Sequence, residues 1–269
     1  MKPRNSALEN VAFTAVVTVA SRTLILRDRL LGRVKKATLE DSRCLEISKL
    51  SIPSGIQLLD AVFAKPANEP ARAALLLCHG IWETVEHWRG VQTSLAAQGV
   101  ASLVFDYAGF GRSTGTIRWM QCEKDAIAAF EVLNALLPNS PVSVLGFSLG
   151  SGIAAAILDS ISPQKLILCS SFPSFEAASR CVRPAGALTG LVPAIWNTED
   201  SLPRRSLPIL ILHSENDRLF PTQMALNLAS SCRGRAKLVI VPNQQHNDPF
   251  YRPQRRYWDH VISFLVLGR

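Results

Sequence analysis

The amino-terminal stretch VAFTAVVTVA (residues 11–20) is apolar but only ten residues long, with Arg22 close behind. A membrane-crossing helix needs roughly 20 such residues. The sequence has no internal repeat and no low-complexity tract, which excludes solenoids, propellers and tail-like architectures. Its six cysteines (Cys44, Cys78, Cys122, Cys169, Cys181 and Cys232) form no C-x-x-C pair and no metal-ligand spacing. Cys78 and Cys169 sit inside apolar runs, where a thiol acts as a small hydrophobe. Reduced thiols in a cytoplasmic protein are therefore expected, with no metal and no cofactor. A phosphate-cradling loop is also missing: the glycine-punctuated residues 106–113, DYAGFGRS, end without the lysine such a loop requires. The net charge is +8, but the basic residues are scattered apart from Arg204-Arg205 and the group Arg252, Arg255 and Arg256. No aromatic-interleaved basic stripe accompanies them, so nucleic acid is not an expected partner and a solvated basic surface is.

What is present is a chain of 269 residues, 48% hydrophobic and 19% charged, which is globular and long enough to bury a substantial core. Leu45 to Ile52 and Ile56 to Lys65 are extended runs joined by Pro53-Ser54-Gly55, predicting an opening antiparallel hairpin. Continuous apolar runs at 73–78, 100–105, 142–145, 165–169, 209–212 and 238–241 predict buried strands. Between them, residues 85–98, 118–137, 153–158 and 222–231 read as helices, and 250–267 as a closing helix. Strands alternating with helices predict an α/β fold: a mostly parallel central sheet flanked by helices on both faces. Residues 171–207 break the alternation with prolines, a glycine and Trp196, and are expected to form a short lid insertion.

The chemistry centres on residues 142–158, VSVLGFSLGSGIAAAIL. A strand leads into Gly146-Phe147-Ser148-Leu149-Gly150, a G-x-S-x-G pattern, and a helix follows. In that setting the serine sits on a strained turn with its hydroxyl pushed out above the sheet. Glycines two residues either side are needed because a Cβ there would collide with the neighbouring strand or helix. Taken alone, the pentapeptide is equally a plain strand-to-helix turn. Its meaning depends on partners, and Asp217 and His246 each follow a predicted strand, at the sheet edge where Ser148 lies. The chain order Ser, Asp, His suits this architecture. Ser148 would attack an acyl carbon, His246 would take and return the proton, and Asp217 would orient the imidazole. Because attack needs a neutral imidazole, activity is expected to fall at acid pH.

Glu215 competes with Asp217 for the acid role, and Asp248 is placed to brace the His246 loop. Backbone N–H groups of Leu149, at a helix start, and of Ile81, after the strand ending in His79-Gly80, are the expected oxyanion-binding pair. His79 is expected to bond neighbouring loop backbone, and Asp106 to fix its own loop. His87, His213 and His260 read as structural or solvated. Trp82 and Trp88 either line a pocket or pack; Trp82, Phe147, Trp196 and Phe220 are the candidate substrate-binding side chains.

Residues 1–44 form a separate amino-terminal segment, expected to be helical. Apolar positions from Leu24 to Val34 alternate with Arg27, Arg29, Arg33, Lys35 and Lys36. A helix docked on the domain, peripheral contact with a membrane surface, and a cleaved signal are the three readings.

The motifs LLLCHG (75–80), DYAGFGRS (106–113), GFSLG (146–150), HSENDRLFP (213–221) and QHNDPF (245–250) together resemble the α/β-hydrolase fold superfamily of serine hydrolases over residues 45–269. The HND at 246–248 is similar to the branch containing depalmitoylases and serine-aminopeptidase-like hydrolases. Gln245 stands where relatives commonly carry glycine, and the 171–207 insert is short beside the large helical lids of triglyceride lipases. The resemblance implies a serine hydrolase acting on an ester or thioester of a small molecule through a covalent acyl-enzyme. Amide or peptide cleavage, and a non-catalytic binding module on the same fold, are the alternatives.

Overall fold

The computed structural model describes residues 11, 13–15, 45–182, 193–204, 206–251 and 253–267. Of the amino-terminal segment only residues 11 and 13–15 fall within that set, and they are helical. Residues 183–192 and 205 of the 171–207 insertion lie outside it.

Eight strands make one sheet: β1 (Leu45–Ser54), β2 (Gln57–Pro66), β3 (Ala73–Cys78), β4 (Val100–Phe105), β5 (Val142–Phe147), β6 (Leu166–Cys169), β7 (Ile209–Ser214) and β8 (Ala236–Val241). Their order across the sheet is β1-β2-β4-β3-β5-β6-β7-β8. The β1–β2 hairpin and the β2–β4 junction are antiparallel, and every pair from β4 to β8 is parallel. The hairpin turn is tighter than the sequence suggested. Both strands run to Ser54 and Gln57, leaving two residues between them. Gly55 takes φ 60°, which costs glycine little, and Ile56 projects from the tip at 95% exposure.

The central strands are mostly apolar because both faces of the sheet are covered. Along β3, Ala74, Leu76 and Cys78 enter one core, while Ala73, Leu75 and Leu77 enter the other. That is the period of two expected of a pleated strand. The first face is covered by α2 (Trp119–Leu136), α3 (Leu149–Ala156) and α6 (Thr222–Ser231). The second is covered by α1 (Arg89–Ala96) and α8 (Arg255–Leu267). Burying each Leu, Ile or Phe contributes about 1.5–3 kcal/mol, and the two cores give the sheet edge a rigid base.

The expected closing helix is divided. A short turn, α7 (Asp248–Tyr251), is separated from α8 by Pro253, which lacks the N–H needed to continue a helix. In the insertion, the described residues form two short helices, α4 (Phe175–Cys181) and α5 (Thr198–Ser201). Ser174 caps α4, its hydroxyl accepting from Ala177 N. Among the described residues, no helix is long and apolar enough to cross a membrane.

Candidate active site

Ser148 links β5 to α3 with φ 51° and ψ −118°, a region that side chains other than glycine rarely adopt. Its amide is satisfied by the Cys169 carbonyl of the adjacent strand (2.9 Å). The flanking glycines are there for space. A Cβ on Gly146 would overlap the Gly150 carbonyl and Ser151, and one on Gly150 would overlap the Cys78 carbonyl. The turn therefore closes only because α3, β3 and β5 approach each other backbone to backbone.

The side chains of Ser148, His246 and Asp217 meet above this turn. His246 Nε2 lies 3.0 Å from Ser148 Oγ, and His246 Nδ1 lies 2.6 Å from Asp217 Oδ2. The other carboxylate oxygen, Oδ1, accepts from Leu219 N (2.8 Å) and Phe220 N (2.9 Å). Asp217 thus has each oxygen committed, and its orientation is fixed by its own loop. Burial acts to raise the Asp217 carboxyl, but the facing imidazole, with its hydrogen bond and charge, outweighs it and holds the group below the usual carboxylate range. Ser148 is only 4% exposed and His246 2%. The imidazole is clasped by Phe147 at 5.3 Å and by Phe220, edge-on at 5.2 Å.

Nearby acids and histidines take other places. Glu215 is exposed and accepts from Asn243 N at 3.1 Å, away from His246. Asp248 Oδ2 accepts from Gln245 N (2.8 Å), closing the His246 loop that carries glutamine in the usual glycine position. His213 is buried, and its Nε2–H donates to Phe220 O at 3.0 Å. His79 Nδ1–H donates to Gly80 O at 2.7 Å, and burial lowers its pKa to about 4. Its 3.6 Å approach to Asp106 is therefore no ion pair at neutral pH. Asp106 accepts from Val85 N and Arg112 N, and burial raises its pKa to about 6.

A narrow apolar cleft opens from Ser148. Ile81, Leu149, Phe172, Phe175, Val182 and Phe220 form much of its wall. Of the four candidate substrate-binding side chains, the structure brings Phe220 there and not the others. Phe147 is 1% exposed and faces the second core, where it packs behind His246 against Phe250 and Trp88. It is the residue before the serine and points to the opposite side of the strand end. Trp82 lies half-buried beside His87, at 6.3 Å between ring centres. Trp196 sits one layer back, behind Phe175, with Nε1–H donating to Glu123 Oε1 at 2.7 Å. Trp88 is a fully buried core residue.

Sequence reading passed over Glu83. Its Oε2 accepts both Gly80 N (3.0 Å) and Trp88 Nε1 (2.8 Å), and the residue is 1% exposed. Burial raises its carboxyl to about 8 despite those two donors. It anchors the His79-Gly80-Ile81 loop beside the serine. The available signal was an acid three residues past Gly80, directly after Ile81-Trp82, but an acid before a helix start is also ordinary.

No group of three or more His, Cys, Asp or Glu residues among those described is arranged to hold a metal. The sheet order, the strained serine and its imidazole and carboxylate neighbours define a class of architecture: the chain has the α/β-hydrolase fold. Residues 69–192 match the family described as serine aminopeptidase, S33. An uncharacterised protein of Mycobacterium tuberculosis is 26% identical over 202 residues, which cover 73% of this chain and 72% of the relative. Lysophosphatidylserine lipase ABHD12 of Macaca fascicularis is 26% identical over 224 residues, 74% of this chain but 56% of the lipase. Among solved structures, an esterase of Pyrococcus furiosus superposes with a TM-score of 0.67 at 17% identity, covering 82% of this chain and 92% of the esterase.

Proposed function

We propose that the protein hydrolyses carboxylic esters or thioesters with an apolar acyl group, through a covalent acyl-enzyme on Ser148. The observation that carries this is the unbroken relay of 3.0 Å and 2.6 Å contacts from Ser148 through His246 to Asp217. Ser148 Oγ attacks the acyl carbon as its proton passes to His246 Nε2. Asp217 stabilises the imidazolium that forms. The tetrahedral oxyanion is met by the Leu149 N–H at the start of α3 and by the Ile81 N–H, on a loop that Glu83 ties down at Gly80. Collapse expels the alcohol or thiol, which takes the proton from His246. Water then repeats the sequence: His246 accepts its proton, hydroxide adds to the acyl carbon, and Ser148 leaves with the proton returned.

The cleft wall favours an acyl chain over a peptide. The described residues that line it carry no carboxylate to receive an α-ammonium group. An ester substrate also agrees with the names of the similar lipase and esterase. The test is labelling with a fluorophosphonate, which transfers its phosphonyl group to an activated serine with loss of fluoride. Wild type should label and hydrolyse p-nitrophenyl esters, and Ser148→Ala should do neither. Undiminished labelling of Ser148→Ala would remove the assignment, and an inert wild type would favour the binding-module reading.

A further inference from the structure

Phe13 belongs to the amino-terminal segment, far from the motifs in sequence, yet it is 0% exposed. Its ring packs on Phe175 (5.2 Å between ring centres) and stands edge-on to Trp196 (5.4 Å). Phe175 and Trp196 complete the triangle at 5.3 Å. Thr14, the next residue, donates from Oγ1 to the Ile117 carbonyl at 3.1 Å, pinning the segment ahead of α2.

One corner of the triangle cannot yield. Trp196 is held by its bond to Glu123 and by backbone at φ 49°. It is also close against α3, where a Cβ added to Gly152 would lie 2.8 Å from Phe172 and 3.1 Å from Trp196. Phe175 is the corner with one side on the Ser148 cleft and the other on Phe13. The position of the cleft wall is therefore set from behind, by a side chain that never touches the cleft.

We propose that Phe13 is a positioning residue for acyl-chain selection: by backing Phe175 it fixes how long a chain the cleft accepts. This rests on the ester-hydrolase reading above. Removing the ring leaves a void into which Phe175 can turn, lengthening the slot by the space of about two methylenes. Each extra methylene that becomes buried strengthens binding several-fold.

The test compares kcat/KM for p-nitrophenyl butyrate and p-nitrophenyl decanoate in wild type, Phe13→Ala and Phe13→Leu. Phe13→Ala should raise the decanoate-to-butyrate ratio by about tenfold, chiefly through a lower KM for decanoate. Phe264→Ala, which trims an aromatic side chain in the opposite core, should leave the ratio unchanged. A merely destabilised enzyme loses active molecules for both esters equally, so the ratio separates positioning from stability. Should Phe13→Ala fail to fold, the milder Phe13→Leu should still raise the ratio about fourfold, by about one methylene's worth. An unchanged ratio in any folded Phe13 variant, with wild type active, overturns the inference alone. Wild type inactive on every ester overturns the function it rests on, and the inference with it.

Discussion

Replacing Glu83 with glutamine should flatten the loss of stability that the protein suffers as pH rises toward about 8. The carboxyl's ordinary value is 4.5, and in the fold it lies at about 8, because burial disfavours the charged form. Between those values the folded state keeps a proton that the unfolded chain has released, so unfolding becomes easier as pH rises. Other buried groups act elsewhere on the scale. His79, lowered from 6.5 to about 4, adds stability as pH rises through that interval, and its effect is complete above 6.5. Asp106, raised to about 6, has its effect below that pH. The interval from 6.5 to 8 is left chiefly to Glu83. One and a half pH units at about 1.4 kcal/mol each gives roughly 2 kcal/mol. In Glu83→Gln the amide oxygen can still accept from Gly80 N and Trp88 Nε1, so the loop is retained while the titration is gone. At roughly 2–4 °C per kcal/mol for a domain of this size, wild-type Tm should fall about 4–8 °C more than that of Glu83→Gln across this interval. Urea midpoints at the same pH values give the free-energy difference directly. Parallel curves for the two proteins would refute the account of a carboxyl held protonated by burial.

Asp217→Asn should slow fluorophosphonate labelling by on the order of 10³–10⁴. The amide would present N–H to His246 Nδ1, moving the imidazole proton to Nε2, where it can no longer accept from Ser148; a loss of under tenfold would show that the carboxylate does not set the tautomer. Gly150→Ala should unfold the elbow or leave insoluble protein, since its methyl overlaps the Cys78 carbonyl. A soluble Gly150→Ala with wild-type Tm by calorimetry would mean that the backbone approach is looser than drawn.

The parts of the fold written locally were legible. The apolar runs of β3 and β4 and the helix Thr222–Ser231 coincide with their sequence readings, because buried parallel strands and punctuated helices leave their pattern in adjacent residues. The G-x-S-x-G turn was legible for the same reason: its glycines answer to contacts made within one strand-turn-helix unit. Phe147 was misplaced because a residue next to the nucleophile invites a binding role, whereas the strand's alternation sends its ring to the far core. Trp196 was misplaced because only the fold puts Phe175 between it and the cleft. Glu83 and Phe13 escaped notice for a common reason. Each matters through a partner that no spacing rule connects to it, a backbone amide in one case and a ring 162 residues along the chain in the other.

The separation of 98 residues between hydroxyl and imidazole also bears on how the molecule is made. Ribosomes deliver Ser148 98 residues ahead of His246, and α8 follows later still. On the function proposed above, a nascent chain that stops short of His246 therefore carries an ordinary serine, without the imidazole that faces it in the fold.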